Sequence, residues 1–297
     1  MYKFTALLIT VLLLGFSATQ AQDARSIVQP KTVVSGNEVG QPVEVDVFTS
    51  EPVSFGPVNS GSLIWTVNNI TDRQSGYDLQ SNGSTQQVWY DLNNPGYVHS
   101  VFTYSAVDDN AWADRTSLYF GSTDGGTNWF ELGGVPVNNG TTGRSGFPSI
   151  IGTSTGAAVI SNHNNALPST TTRSTVFIDN SPFEYSFTNY DPGNVPGAAQ
   201  AIWPLLAINS TDDIVFASSI NGGDSFFVFF LSGGVFGGWQ VFNGDQAETH
   251  SLNFSAGGKV GLAWIGGIAA TDAGDVSFVE STDNGLTWTT PVKIFEA

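Results

Sequence analysis

The amino-acid sequence predicts an all-β protein, a β-propeller built of four-stranded antiparallel blades. Helical periodicity is nearly absent after the first residues, and short β-branched and aromatic runs alternate with Gly, Asn and Asp turns. These runs fall into groups of four that recur with a period of about 50 residues, a spacing typical of propeller blades. Four groups are clear, and two alternatives are open for the rest: a fifth blade, or a ring that is incomplete.

Each group contains four strand-like runs separated by turn residues. The first group is predicted at Gln87–Asp91, Tyr97–Ser105, Ser117–Phe120 and Asn128–Leu132. The second is predicted at Phe147–Ile151, Ala157–Ser161, Ser174–Ile178 and Tyr185–Thr188. The third is predicted at Ile202–Ile208, Ile214–Ser218, Ser225–Leu231 and Trp239–Phe242. The last is predicted at Ser251–Ser255, Lys259–Ile265, Asp275–Glu280 and Thr287–Ile294. Earlier runs at Val43–Phe48 and Ser62–Val67 are the candidates for a fifth unit.

The N-terminal residues 1–21 have the features of a secretory signal. Lys3 supplies the positive start, Ala6–Phe16 is apolar, and Thr19-Gln20-Ala21 is a small-x-small cleavage site. The apolar run is too short to span a bilayer. We therefore expect residues 22–40 to be a linker, residues 41–297 to be the propeller, and the protein to be exported to the periplasm, cell surface or medium of a bacterium.

Composition excludes two classes of partner. The chain carries a formal net charge of −17 and contains no cysteine. Nucleic acids and anionic membranes are bound by clustered Lys and Arg, which this balance does not supply. A secreted chain without disulfides must rely on its core, for which this length is ample.

An eight-residue pattern, S-x-D-x-G-x-x-W, occurs twice between a third and a fourth predicted strand. Its fixed positions are Ser122, Asp124, Gly126 and Trp129 in the first copy, and Ser281, Asp283, Gly285, Thr287 and Trp288 in the second. Ser232 and Trp239 keep the spacing in a third, worn copy. Short Asp and Ser side chains accept backbone N–H bonds in turns, Gly tolerates positive φ, and Trp buries a large area. These residues are therefore predicted to lock turns.

This pattern resembles the Asp-box, or BNR repeat, of sialidases and related propellers, in which the boxes lie at the blade periphery. A second similarity begins at Ser75-Gly76-Tyr77-Asp78, which looks like uncharacterised exported propeller proteins of Bacteroidetes-type bacteria. The sialidase resemblance implies three arginines around a sugar carboxylate, a Tyr/Glu nucleophile pair and an Asp acid. Arg144 is the one arginine at the start of a predicted blade. The sequence therefore offers few arginines for such a carboxylate site.

Hydrolysis of a neutral polysaccharide would need only two carboxylates about 5–10 Å apart. Asp108 and Asp109 lie in a loop between second and third strands, and Asp245 and Glu248 precede the last blade. Solvated loop acids are the alternative interpretation in so acidic a chain. No cofactor is predicted, apart from Ca²⁺ as an alternative at two clusters of oxygen-bearing side chains: Asp108-Asp109-Asn110 with Asp114, and Thr211-Asp212-Asp213.

The favoured function is a non-catalytic scaffold that binds a glycan or an extracellular protein, and the alternative is a glycoside hydrolase acting at the central funnel. Aromatic residues near loops could stack on sugars or pack between blades: Trp65, Trp89, Trp112, Tyr190 and Trp203. Three arginines or two facing carboxylates at the funnel would favour hydrolysis. A funnel of apolar and amide side chains would favour binding.

Overall fold

All regular structure in the described part of the chain is β-strand. The computed structural model describes residues 69–71, 73, 75, 86–107, 112–138, 142–166, 172–193, 200–220, 225–243, 250–266 and 274–296, within a compact unit that runs from Thr66 to Ala297. The predicted signal, the linker and the candidate runs for a fifth unit lie outside these residues. None of the described residues forms a helix of the length and apolarity that a membrane span requires.

Sixteen described strands form four sheets of four strands each. Blade 1 contains β1 (Val88–Tyr90), β2 (Val98–Tyr104), β3 (Thr116–Ser122) and β4 (Phe130–Pro136). Blade 2 contains β5 (Thr142–Gly152), β6 (Ala158–Ala166), β7 (Thr172–Asp179) and β8 (Phe187–Tyr190). Blade 3 contains β9 (Ala201–Ile208), β10 (Ile214–Ile220), β11 (Ser225–Ser232) and β12 (Val235–Asn243). Blade 4 contains β13 (His250–Phe254), β14 (Val260–Ile265), β15 (Val276–Ser281) and β16 (Val292–Phe295).

Each sheet is an antiparallel meander in which strands follow one another in chain order. The first strand of one blade contacts the first strand of the next, so that β1, β5, β9 and β13 are the innermost strands. This arrangement confirms the predicted β-propeller with four-stranded blades.

The meander gives each blade two different edges. The turns after first strands and after third strands lie at one edge, which we name the box edge. In blade 1, Gly125 N donates to Gly96 O at 2.9 Å and joins these two turns. The starts of the first strands and the loops between second and third strands lie at the opposite edge, named here the start edge.

The core lies between neighbouring blades. Buried Tyr119 and Val101 of blade 1 pack with Ile150, Ile160 and Phe177 of blade 2. A second cluster joins blades 2 and 3, and a third joins blades 3 and 4 around Trp264, which is 1% exposed. Because the aromatic and β-branched side chains of each blade are covered by the next, the stability of the propeller comes from stacking.

All sixteen predicted strands are present, but several begin elsewhere: β5 begins at Thr142 and not at Phe147, and β12 begins at Val235 and not at Trp239. β16 begins at Val292, because Thr287 and Trp288 belong to the box turn and not to the ladder. In blade 3, Ser232 pairs with Val235 across Gly233-Gly234, whose φ values are 54° and 78°. Two adjacent glycines with positive φ form a tight two-residue hairpin. The interpretation of Ser232–Trp239 as a worn copy of the box is therefore wrong.

Candidate functional site

The first candidate to consider is the repeated box, and its polar atoms are occupied within the turn. Ser122 Oγ accepts from Gly126 N at 2.9 Å and donates to Asp124 Oδ1 at 2.9 Å. Asp124 Oδ1 also accepts from Asn128 N at 2.8 Å. These hydrogen bonds, led by the one from the backbone of Asn128, lower the pKa of Asp124. The carboxylate is thus kept charged to hold the turn closed.

The second box repeats this geometry. Ser281 Oγ accepts from Gly285 N at 2.8 Å, and Asp283 Oδ1 accepts from Thr287 N at 2.8 Å. The hydroxyl and backbone bonds from Thr287 lower the pKa of Asp283. Trp288 covers the turn and donates from Nε1 to Gly285 O at 3.0 Å. Both boxes lie at the box edge and act as turn locks, as their residue types predict.

The second candidate is a cavity of about 690 Å³ lined by the first strands of all four blades. Apolar side chains, amides and one hydroxyl dominate its surface. None of its described lining residues is an aspartate, glutamate, arginine or lysine. The lining consists of Gln86, Trp89, Leu92, Ile151, Leu205, Leu206, Ala207, Ile208, His250, Ser251, Leu252 and Asn253. Its position on the innermost strands makes it the central channel of the propeller.

One aromatic side chain of the channel is fixed between two blades. The Trp89 ring lies so close to Gly152 that a Cβ there would be 2.1 Å from it. The Trp89 ring also contacts the ring of His99, with 5.3 Å between centroids. The indole is therefore presented to the channel in a preorganised position.

The single titratable group of the described channel lining is His250. Burial lowers the pKa of His250 to about 4, so that the imidazole is neutral near pH 7. The channel surface is therefore uncharged at neutral pH over its described residues.

A polar cluster lies at the start edge between blades 1, 2 and 3. Arg115 donates from Nε to Ser145 O at 3.1 Å, and its Nη2 lies 3.1 Å from Nε2 of His163. The guanidinium also lies 4.8 Å from the centre of the Phe147 ring. The ring of Trp203 packs edge-on against both Phe147 and His163, at centroid distances of 4.5 Å and 4.9 Å.

Burial, with Arg115 and Arg144 close by, holds the pKa of His163 well below its usual range. His163 is 4% exposed. A neutral imidazole avoids adding a third positive charge beside two guanidinium groups. We call Arg115, Arg144, His163, Phe147 and Trp203 the start-edge cluster.

Two X-Pro pairs shape this cluster. Phe147 and Trp203 adopt φ values of 51° and 56°, and each precedes a proline that lies inside its strand. At both places two residues of the first strand oppose one residue of the second, between Gly146 and Ser149 in blade 2 and between Ala217 and Ser219 in blade 3. A bulge of this kind accommodates proline and re-aims a side chain. It turns both aromatic rings into the space between blades.

Of the predicted catalytic candidates, Arg144 is the one that falls among the described residues. Arg144 lies beside His163, outside the described lining of the channel, and its Nε is buried without a hydrogen-bond partner. Asp108, Asp109, Asp245 and Glu248 lie outside the described residues. Asp114, in the same loop as the first pair, accepts hydrogen bonds from Ser105 Oγ and Ala106 N and is a loop acid.

No described residues group into a set of three or more His, Cys, Asp or Glu side chains able to hold a metal ion. Of the turn oxygens considered for Ca²⁺, those of Asp212 accept from Ser154 N and Oγ at 2.6 and 2.8 Å. Asp213 accepts from Thr211 Oγ1 at 3.0 Å and from Asn209 Nδ2 at 3.2 Å. Asp212 therefore connects two neighbouring turns at the box edge, and Asp213 is bonded within its own turn.

No protein-family profile matches the sequence, and no curated protein matches it either. Solved structures are similar at low identity. A protein of unknown function from Dyadobacter fermentans is 14% identical over 70% of this chain and 67% of that one, with a TM-score of 0.48. An exo-β-1,3-galactanase from Clostridium thermocellum is 16% identical over 71% of this chain, at a TM-score of 0.44. This chain spans 48% of the galactanase. A glycosyl hydrolase from Bacteroides ovatus is 14% identical over 71% of both chains, at a TM-score of 0.43.

These similarities concern the fold alone.

The start-edge cluster was not predicted as a unit, because Arg115, His163 and Trp203 are far apart in sequence and carry no shared motif. The available signal was the Phe-Pro and Trp-Pro pairs, which recur at the starts of two blades.

Proposed function

We propose that this protein is an exported, non-catalytic propeller of the Asp-box type that binds a neutral glycan in its central channel. The observation that carries the proposal is the described lining of that cavity, which combines an aromatic ring, amides and a hydroxyl with apolar side chains and contains no charged residue.

The chemistry of the lining matches that of a sugar. The part of the Trp89 indole that Gly152 and His99 leave uncovered offers an apolar contact for the C–H groups of a pyranose, and such a contact contributes most when the ring is already fixed in place. Gln86, Asn253 and Ser251 offer donors and acceptors for sugar hydroxyls. An acidic ligand would meet a chain with a net charge of −17 and no cation in the described lining. A neutral glycan fits both facts.

The described lining residues of the channel do not include the reactive groups that hydrolysis requires. A glycosidase requires an acid and a second carboxylate on either side of the scissile bond. An exo-sialidase would need arginines in the channel, whereas Arg115 and Arg144 lie in the start-edge cluster. Binding is therefore the better supported function.

The test is binding of neutral oligosaccharides by isothermal titration calorimetry, with Asn253→Ala and Gln86→Ala as the informative variants. Asn253 is exposed, so its truncation is expected to change stability by less than about 0.5 kcal/mol. Each lost hydrogen bond to the sugar would weaken binding by about fivefold, since such a bond contributes about 1 kcal/mol. The matched control is Asn189→Ala, an exposed amide on the outer strand β8.

Two outcomes would contradict the proposal. Affinities that are unchanged in both channel variants would place the ligand elsewhere. Release of reducing sugar from the same oligosaccharides by the purified wild-type protein would establish hydrolysis instead.

A further inference from the structure

The start-edge cluster contains three buried nitrogen atoms that have no hydrogen-bond partner among the described residues. They are Nε of Arg144, Nδ1 of His163 and Nε1 of Trp203. A buried polar group without a partner destabilises the fold, and native proteins satisfy most such groups. Three of them in one cluster therefore call for an explanation, which a bound ligand would supply.

All three nitrogen atoms are hydrogen-bond donors. The guanidinium Nε and the indole Nε1 carry a proton at neutral pH. The imidazole of His163 is neutral, because burial and two nearby guanidinium groups hold its pKa well below the usual range. Nη2 of Arg115 lies 3.1 Å from Nε2 of His163 and can only donate, so Nε2 is the acceptor and Nδ1 carries the proton. The ligand that satisfies these atoms must be an acceptor.

Arg144 also brings a positive charge that no described residue balances. Its guanidinium forms no hydrogen bond or ion pair with another described residue. Arg173 of the same blade, by contrast, is paired with Asp191. Arg144 is half-buried, and a charge that is partly removed from water is costly unless it is paired. The missing partner therefore has a negative charge.

The three donors belong to the contact between blades 2 and 3. Ser145 Oγ accepts from Ser117 N of blade 1, so Arg144, the preceding residue of β5, points to the opposite face. His163 faces that side too, since its ring packs edge-on against Trp203 of blade 3. Arg144 and Trp203 are each partly exposed, so a small solute can approach them from solvent at the start edge.

We infer that the start-edge cluster is an anion-binding site, and that it takes the carboxylate of a small acidic solute. Arg144 would pair with the carboxylate, and the N–H groups of His163 and Trp203 would donate to its oxygens. One unbalanced positive charge matches the single negative charge of a carboxylate better than the higher charge of a phosphate. The planar group also suits a cluster whose aromatic rings are already in contact.

The acidic character of the chain does not prevent such binding. At physiological ionic strength, exposed charges more than about 8 Å away are largely screened, whereas groups in direct contact with a partly buried anion are screened much less. The inference does not depend on the channel binding a glycan, because Arg144, His163 and Trp203 lie outside the described lining of the channel.

The experiment is a titration of the full chain at pH 7 with sodium acetate, which replaces sodium chloride at constant ionic strength. Two-dimensional ¹H–¹⁵N spectra follow the indole N–H resonance of Trp203, which is identified by its absence in Trp203→Phe. This resonance is expected to move downfield and to saturate, because a hydrogen bond to a carboxylate deshields the proton. Sodium D-glucuronate should produce the same shift, whereas D-glucose, the same ring without the carboxylate, should produce none.

The variants test the charge and the indole donor separately. Arg144→Gln is expected to weaken acetate binding by about tenfold, since hydrogen bonds between charged groups are the strong ones. Arg173→Gln is the matched control, because it removes an arginine of the same blade that already has a partner, and it should bind acetate as wild type does. Trp203→Phe keeps an aromatic ring but lacks the N–H group, so the rise of its thermal midpoint with acetate should correspond to about fivefold weaker binding. Far-UV circular dichroism reports whether each variant is folded.

An unmoved Trp203 resonance in acetate, or equal affinities in wild type and Arg144→Gln, would overturn the inference. So would tighter binding of phosphate or sulfate than of acetate, which indicates a site for tetrahedral anions. If Arg144→Gln does not fold, an acetate-induced rise of the midpoint that is equal in wild type and Trp203→Phe would contradict the site. Unchanged acetate binding in Gln86→Ala and Asn253→Ala would support a site that is separate from the channel.

Discussion

The buried histidine of blade 1 makes the stability of the propeller depend on pH. His99 is 0% exposed, its Nδ1 lies 2.6 Å from the hydroxyl of Tyr119, and its ring stacks on Phe183 at 4.7 Å. Burial lowers the pKa of His99 to about 4 against the opposing effect of Asp91. The folded protein therefore holds the imidazole neutral where the unfolded chain, with a pKa near 6.5, would protonate it.

The sign and size of the effect follow from this difference. Between pH 6.5 and 4 the unfolded state binds more protons, so the free energy of unfolding falls as the pH falls. For a pKa of about 4 folded and 6.5 unfolded, the loss is about 1.4 kcal/mol at pH 5.5 and about 2.5 kcal/mol at pH 4.5, relative to pH 7.5. The stabilisation that comes from keeping His99 neutral is fully present above about pH 6.5 and is lost once the pH falls well below 4.

The assay is urea unfolding at pH 7.5, 5.5 and 4.5 of wild type and His99→Gln. Glutamine can keep a hydrogen bond to Tyr119 but does not titrate, so this variant should lose about 2.5 kcal/mol less than wild type between pH 7.5 and 4.5. His163 and His250, whose pKa values burial also lowers, contribute equally to both proteins and cancel in this comparison. Tyr119→Phe retains His99 and should keep the wild-type pH dependence. If the free energy of unfolding changes with pH equally in wild type and His99→Gln, the argument is refuted.

Two further predictions concern packing and the box. Gly152→Ala should lower the free energy of unfolding by about 1–3 kcal/mol, since the new methyl group would lie 2.1 Å from the Trp89 ring. The control is Gly143→Ala, which is in the same strand and whose new methyl group would have no neighbouring atom closer than 3.9 Å. Equal urea midpoints for the two variants would show that the Trp89 ring moves aside freely. Ser281→Ala should lower the free energy of unfolding by about 1 kcal/mol, because the Ser281 hydroxyl accepts a hydrogen bond from Gly285 N at 2.8 Å. The exposed neighbour variant Thr282→Ala should have little effect on the thermal midpoint, and a loss as large as that of Ser281→Ala would argue against the turn lock.

Much of the fold could be predicted from local patterns. Antiparallel meanders with short turns are encoded by neighbouring residues, so the four blades and most strand positions were found before any contact was known. The two complete boxes were also recognisable, because a serine, an aspartate and a glycine close each turn through bonds within eight residues. Residue spacing failed at Ser232 and Trp239, where Gly233-Gly234 forms a shorter turn and the matching distance is a coincidence.

The candidate sites were less predictable. Trp89 and Trp203 were singled out as aromatic residues near loops, yet their partners, Gly152 in one case and Phe147 with His163 in the other, lie in a different blade. Contacts of this kind are absent from any single repeat. The uncharged lining of the channel likewise results from four strands that lie far apart in the chain.

The sequence by itself determined the repeating strand pattern, the turn chemistry of the boxes and the acidic, cysteine-free composition, because each of these is local or additive along the chain. Only the tertiary structure decided which side chains meet. It placed two arginines beside a neutral histidine at the start edge, kept charge out of the described channel lining, and left Trp239 partly exposed on blade 3. The physical reason is that a propeller builds its core and its cavities between blades, so their composition depends on how the blades stack.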